Sequence, residues 1–202
     1  MRARTDKREQ NRRTRREQVF RAALEIFGRY GYRKANLEDI AGKLDMTKSG
    51  LYRYCRDKRD LYEKAVSYGL TQWQQTAAAS IAGETDPFKQ LGNYAMTGMM
   101  YLNGNTDLKN VLRNDPAVFP LNTRQDPFAR INQESMNILK KILRRGVRLK
   151  RFRAMDIENT TAFLYSVYVM LIIRSYVVSD IESVGDMVRT GLDTVLRGIV
   201  RR

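Results

Sequence analysis

The sequence predicts an all-α fold of about nine helices, with an N-terminal three-helix domain that contains a helix-turn-helix and a second helical domain after it. Three observations carry this. Apolar residues recur at 3.6-residue spacing in almost every segment. No run alternates as a half-buried strand does, and no Asn-Gly turn sits between two such runs. Asp86-Pro87 and Asp126-Pro127 each place a capping residue before a proline suited to a first helical position.

Met1 to Arg16 reads as a flexible basic arm, residues 1–13 of it lying outside the first domain. Val19, Phe20, Ala23, Leu24 and Phe27 form the apolar stripe of a first helix from about Thr14, with Gly28 and Gly31 as stop signals. Asn36 caps a short second helix bearing Ile40, Ala41 and Leu44, and Glu38 and Asp39 suit its first turn. After Asp45-Met46, Thr47 caps a third helix, Lys48 to about Tyr54, whose Leu51 faces inward. Asp57 caps a fourth, running to about Ala82. Further helices start at Pro87, near Leu108 to Arg113, at Pro127, and over about Asp156 to Ser179 and Glu182 to Arg201, where Ser179 and Glu182 are spaced as a capping box.

The 202 residues include 37 Lys and Arg against 22 Asp and Glu, giving a net charge of +15, and 43% are hydrophobic. That is enough apolar material for a core, and the charge points to a polyanionic partner. There is no His, which excludes Ser-His-Asp and Cys-His nucleophiles, His-ligated metals and an imidazole pH switch, so an enzyme is not expected. One cysteine, Cys55, allows neither an internal disulfide nor a Cys-rich metal cage and fits a reducing cytoplasm. No metal or cofactor is expected. The start of the chain is too polar for a signal peptide, and Ala162 to Val178, interrupted by Ser166, Arg174 and Ser175, falls short of the roughly 20 apolar residues of a membrane span.

Residues 1–60 hold 18 basic and 9 acidic side chains. The arm has two readings, a solubilising tail or a segment that follows DNA. A second basic cluster, Lys140, Lys141, Arg144, Arg145, Arg148, Lys150, Arg151 and Arg153, reads as the solvated end of a long helix, where cations meet the macrodipole favourably.

The two short helices form a helix-turn-helix over about residues 36–55. Ala41 is small enough for the helices to cross closely, leaving the polar third helix free to enter a major groove. Residues 14 to 62, above all Leu37-Glu-Asp-Ile-Ala-Gly-Lys-Leu-Asp-Met-Thr-Lys-Ser-Gly-Leu-Tyr-Arg-Tyr, resemble the tetracycline-repressor (TetR) family of bacterial transcription regulators. Ile26-Phe27 to Gly31-Tyr32, Asp39-Ile40-Ala41, Thr47 to Tyr52, and Lys58 with Leu61 carry the likeness in order. Asp45 stands at the usual turn glycine, Tyr54 at the usual His and Cys55 at the following Phe.

The resemblance implies a DNA-binding domain over residues 14–73 and a ligand-binding and dimerisation domain over 74–202. Lys48, Tyr52, Tyr54 and Lys58 look like phosphate contacts, Thr47, Ser49, Gly50 and Arg53 like groove-facing positions, and Arg33 and Asn36 like contacts to the flanking backbone. Gly50 would admit close backbone approach, and Arg53 would either pair with a guanine or hold a phosphate. Cys55 reads as core, or as a redox sensor if it is exposed beside Arg53 and Arg56.

In the second domain the implied inducer cavity would be built from Trp73, Tyr94, Met96, Met99, Met100, Phe119, Met136, Phe163 and Met170, a set that plain core packing also explains. Arg174 reads as an anchor for an acidic ligand group or as the partner of an Asp or Glu. Val184, Val188, Gly191, Leu192, Val195, Gly198 and Ile199 read as a dimer seam, with intramolecular core as the alternative. The expected protein is a cytoplasmic, sequence-specific transcriptional regulator: a homodimeric repressor, released from a palindromic double-stranded operator by a hydrophobic or amphipathic small molecule. The other reading is an architectural DNA-binding protein that works through charge alone.

Overall fold

A computed structural model of the chain describes residues 2–115, 118–119, 126–177 and 181–200. Among these the fold is all-helical: α1 (Arg2–Lys34), α2 (Leu37–Lys43), α3 (Lys48–Leu51), α4 (Lys58–Ala79), α5 (Pro87–Gly104), α6 (Thr106–Asn114), α7 (Ala129–Arg148), α8 (Ile157–Val177) and α9 (Ile181–Ile199). The one extended pairing among them is an isolated bridge between Phe152 and Val200. The chain divides into two compact units, Met1–Gln72 with Asn105–Asp115, and Trp73–Gly104 with Pro116–Arg202.

In the first unit, α1 begins at Arg2, well before Thr14, so the segment expected as a flexible arm is helical. One side-chain pair joins the extension to the expected helix, Arg13 Nε donating to Glu17 Oε1 at 3.0 Å, and a second follows within that helix, Arg15 Nη1 to Gln18 Oε1 at 3.0 Å. The helix also passes through Gly28 and kinks at Gly31, whose φ of 73° and ψ of 162° are open to glycine at little cost. Gly28 has a different use. A Cβ there would lie 2.8 Å from the carbonyl oxygen of Asp107, so its absence lets α6 seat against α1. Asn114 Nδ2 donates to Gly28 O across this contact at 2.9 Å. Leu108, Val111 and Leu112 of α6 thereby join Val19, Ala23, Phe27, Ile40, Leu51, Leu61 and Val66 in one core, and α6 belongs to this unit although sequence order placed it with the second domain. Tyr62 packs edge-on against Phe27 at 5.1 Å and donates to Asp115 Oδ2 at 2.7 Å; burial, then that hydrogen bond, push its phenol pKa up.

The second unit is built on Leu91, Leu139, Ile142, Leu143, Phe152, Leu196 and Ile199. At the end of α7 the chain reverses through Lys150 (φ 56°), and Phe152 folds back over Gly146, whose carbonyl accepts from the amides of Arg151 and Phe152. A Cβ at Gly146 would fall 2.0 Å from the Phe152 ring. Part of the nearby basic cluster is ion-paired: Lys140 and Arg144 to Glu158, Arg151 to Asp86. α5 starts at Pro87, with Asp86 Oδ1 accepting from Phe88 N. α7 starts at Ala129, two residues later than Pro127, because Asp126 caps a turn there through Phe128 N. The Ser179–Glu182 capping box lies outside the described residues. No helix among the described residues is long and apolar enough to cross a membrane.

Candidate nucleic-acid interface

The recognition surface is assembled from local caps and one buried leucine. Asn36 Oδ1 accepts from Glu38 N at 3.1 Å and starts α2; Thr47 Oγ1 accepts from Gly50 N at 3.1 Å and starts α3. Between them Asp45 adopts φ 51°, the left-handed turn conformation that its short polar side chain tolerates. Ala41 and Ile40 are buried in α2, and Leu51 of α3 is fully buried against that layer. Leu51 fixes the roll of α3, so Thr47, Lys48, Ser49, Tyr52 and Arg53 are exposed together, Tyr52 at 46%. The helix is shorter than expected, ending at Leu51, and Tyr52 to Tyr54 continue as tight turns with Arg53 N bonded to Gly50 O and Tyr54 N to Leu51 O.

Gly50 does not face outward. It is buried, and a Cβ there would sit 3.4 Å from Thr47 Oγ1 and 3.6 Å from Arg53 Nη2, so the glycine makes room for the cap and for the arginine that folds back over it. Lys48 Nζ pairs with Glu38 Oε1 at 2.6 Å; the hydrogen bond raises the lysine pKa and lowers the carboxylate's, keeping both groups charged. Arg33 and Lys58 are brought together at the edge, with Lys58 Nζ donating to Arg33 O at 3.1 Å and lying 4.9 Å from the Tyr32 ring centre. Asn36 is exposed, and Tyr54 is half-buried with its carbonyl accepting from Lys64 Nζ at 3.0 Å.

Cys55 is 3% exposed, and burial, with Asp60 adding to it, pushes its thiol pKa up. The reactive thiolate that Arg53 and Arg56 would have favoured is therefore absent from the folded state, and Cys55 is a core residue. Among the described residues no three His, Cys, Asp or Glu side chains cluster as a metal site.

Sequence reasoning left Arg12, Arg13 and Arg16 in an undifferentiated arm. They line a cleft of about 660 Å³ together with Glu9, Arg53 and Tyr54. The signal that finds them is helical spacing: Glu9, Arg12, Arg13 and Arg16 recur at three- and four-residue intervals on one side of α1.

In the second unit the structure divides the expected cavity residues. Trp73 and Met99 are buried, and Tyr94, Met96, Phe119 and Met136 are half-buried. Trp73 Nε1 donates to Gly98 O at 2.7 Å, and its ring meets Phe119 and Tyr168 at 6.4 and 6.5 Å. Met100 (68% exposed), Phe163 (63%), Met170 (58%) and Arg174 lie on the surface of the chain, not in its interior. For Phe163 and Met170 the reason is that α8 is apolar nearly all round, so one side stays uncovered whichever face the core takes; Met100 lies on α5. Arg174 reaches water and needs no buried acidic partner.

The expected dimer seam is divided as well. Ile199 is buried and Val195 half-buried in the intramolecular core around Leu196. Gly191 and Leu192 are half-buried, Gly198 is exposed, and the side chains of Val184 and Val188 lie outside the described residues.

Comparison with known proteins agrees with this geometry. Residues 19–65 match the model of the family described as bacterial regulatory proteins, tetR family. No curated protein matches the sequence. The fold is similar to that of a transcriptional regulator from Saccharomonospora viridis in complex with choline, at 19% identity over 93% of this chain and 98% of that one, with TM-score 0.77. It is similar to FadR from Bacillus subtilis in complex with stearoyl-CoA, at 17% identity over 90% and 98% of the two chains, TM-score 0.74. A TetR transcriptional regulator from Chloroflexus aurantiacus gives 16% identity, 94% and 97% coverage and TM-score 0.75. The family match covers the helix-turn-helix and the helices on either side of it, and over the rest of the chain the likeness to these regulators is one of fold.

Proposed function

We propose that the protein is a homodimeric repressor, that it reads a palindromic operator through Thr47, Lys48, Ser49, Tyr52 and Arg53, and that a hydrophobic or amphipathic small molecule releases it. The observation that carries this reading is the exposed polar row of α3 above the buried Leu51. Arg33, Asn36, Tyr54 and Lys58 flank that row and hold the DNA backbone, while Gly50 supports it from beneath. DNA binding belongs to the first unit, residues 14–73 with α6 packed on them, and ligand binding and dimerisation to the rest of residues 74–202. Two copies place their recognition helices about 34 to 36 Å apart, one turn of duplex.

Support for a ligand comes from the buried Trp73 and Met99 with Tyr94, Met96, Phe119 and Met136, and from similar proteins solved with stearoyl-CoA and choline. α4 carries residues of both units, so a ligand that favours one placement of α4 changes operator affinity by its difference in affinity for the two states. The exposed Phe163 and Met170 of α8, with Gly191, Leu192 and Gly198 of α9, supply the surface for the second copy.

The test is selection of bound fragments from the source genome, followed by titration of the selected duplex. Lys48→Ala or Tyr52→Ala weakens binding to every sequence; Arg53→Ala flattens preference at one base pair if it reads a guanine. Equal affinity for selected and random duplex would replace this reading with the architectural one.

A further inference from the structure

We infer that the cleft between the N-terminal part of α1 and the end of the recognition turn seats the phosphodiester backbone of DNA flanking the operator half-site. The proposal rests on the operator reading above and extends its footprint beyond the bases that α3 faces.

The cleft occupies about 660 Å³ and is lined by Glu9, Arg12, Arg13, Arg16, Arg53 and Tyr54. Four guanidiniums face one carboxylate, so its net charge is strongly positive. Small-molecule sites are walled mostly by aliphatic and aromatic side chains. Here one phenol ring and no aliphatic residue line the space, whereas guanidinium forks match phosphate oxygens in pairs.

α1 is tied to the helix-turn-helix one turn beyond Arg12. Arg15 Nη2 donates to the carbonyl of Leu44, in the turn of the helix-turn-helix, at 2.8 Å, which pins the first helix to the reading head. Among the described residues Arg12 and Arg16 are in no ion pair, and Arg13 pairs only with the exposed Glu17. Arg53 gives Nε to Gly50 O at 3.4 Å, a long bond that leaves its terminal nitrogens for another acceptor.

The spacing suits a strand. Arg12 and Arg16 are one turn apart, about 6 Å along the helix, close to two nucleotide steps at about 3.4 Å of rise each. Because Arg53 and Tyr54 belong both to the cleft and to the recognition turn, a backbone entering the cleft is continuous with the one that Lys48 and Tyr52 hold.

The experiment is fluorescence anisotropy of the full chain on the selected operator in two duplexes, one trimmed to the palindrome and one with about ten base pairs of flank on each side, over a salt series. The wild type loses about tenfold in affinity on trimming. The triple variant Arg12→Gln, Arg13→Gln, Arg16→Gln, at exposed positions where glutamine preserves helix propensity, binds the trimmed duplex as the wild type does and gains nothing from the flank. Its salt slope on the long duplex falls by about 0.9 for each phosphate it no longer neutralises. Glu9→Gln shifts the long duplex in the opposite direction, to tighter binding. Insensitivity of the wild type to trimming, or equal weakening of the variant on both duplexes, overturns the proposal while the operator reading stands. Failure of the wild type to prefer the selected duplex over random DNA overturns both. Thermal melts of the variants that match the wild type exclude a folding defect.

Discussion

Lys48 cannot serve DNA and Glu38 at once. In the free protein its ammonium lies 2.6 Å from the Glu38 carboxylate, and both side chains are about half exposed. A phosphate that takes Lys48 must break that pair and leave Glu38 facing the same backbone. Glu38 therefore acts as an internal counter-ion that tempers affinity, and Glu38→Gln is expected to tighten operator binding by a factor of about two to five, the range an exposed pair supplies. An equal salt series on both proteins checks this, since the gain should shrink as salt screens the carboxylate. Cys55 makes a second prediction at this scale. With its thiol pKa raised by burial, it stays protonated when folded, and native alkylation by iodoacetamide at pH 8 should run at least about tenfold slower than in urea. The sign for stability follows: the contribution is present below the thiol pKa of the unfolded chain and is lost as pH rises through the folded value. Both residues were visible in the sequence, but their states were not. A motif gives Cys55 its place, and only the packed structure, in which it is 3% exposed with its thiol donating to the Leu51 carbonyl at 3.6 Å, shows that it is closed to solvent.

Helices were legible where their signals are local. Asn36 and Thr47 announce α2 and α3 through caps made within three residues, and Asp86 does the same for α5. α6 was found close to its place but assigned to the wrong neighbours, because its partner surface lies some eighty residues earlier, at Gly28, and no local pattern encodes that contact. Gly28 itself reads as a helix stop; its use is to remove a Cβ from the crossing with α6. The difference can be measured. Gly28→Ala gains helix propensity of about 0.5 to 1 kcal/mol but forces Asp107 backbone away from a 2.8 Å clash, and it should cost about 1 to 3 kcal/mol net, as overpacked sites do. Gly42→Ala meets nothing within 4 Å and should stabilise α2 by about 0.5 to 1 kcal/mol. Urea denaturation of the two variants checks both signs. The extension of α1 escaped for the opposite reason: its Arg-rich sequence has no apolar stripe, and it continues N-terminally from a helix whose own side-chain pairs begin at Arg13–Glu17.

For the whole molecule, the apolar pattern of the last two helices could not say which residues meet their own chain and which meet another. Hydrophobic spacing is the same in both cases; the structure shows only what the chain itself covers: Ile199, Leu196 and Val195 pack inward, whereas Phe163 and Met170 are left more than half exposed on α8. They lie seven residues apart with Ser166 between them, and Ala162 beside Phe163 is exposed as well, so they share one side of the helix. A bulky aromatic and a flexible methionine exposed on one face are suited to close against a copy of the same surface, since a two-fold interface brings each patch onto itself. A carboxylate at either position would be buried beside its own symmetry mate, unpaired, and such a charge is costly. Phe163→Glu combined with Met170→Glu should therefore convert the protein to a monomer in sedimentation equilibrium at micromolar concentration, with its helical content by circular dichroism unchanged because both positions face solvent in the single chain. Operator binding should fall with it, to the affinity of one half-site, while the variant and the wild type bind an isolated half-site equally. A variant that stays dimeric would move the interface to another face; one that is monomeric but holds the full palindrome as tightly as the wild type would separate dimerisation from DNA recognition.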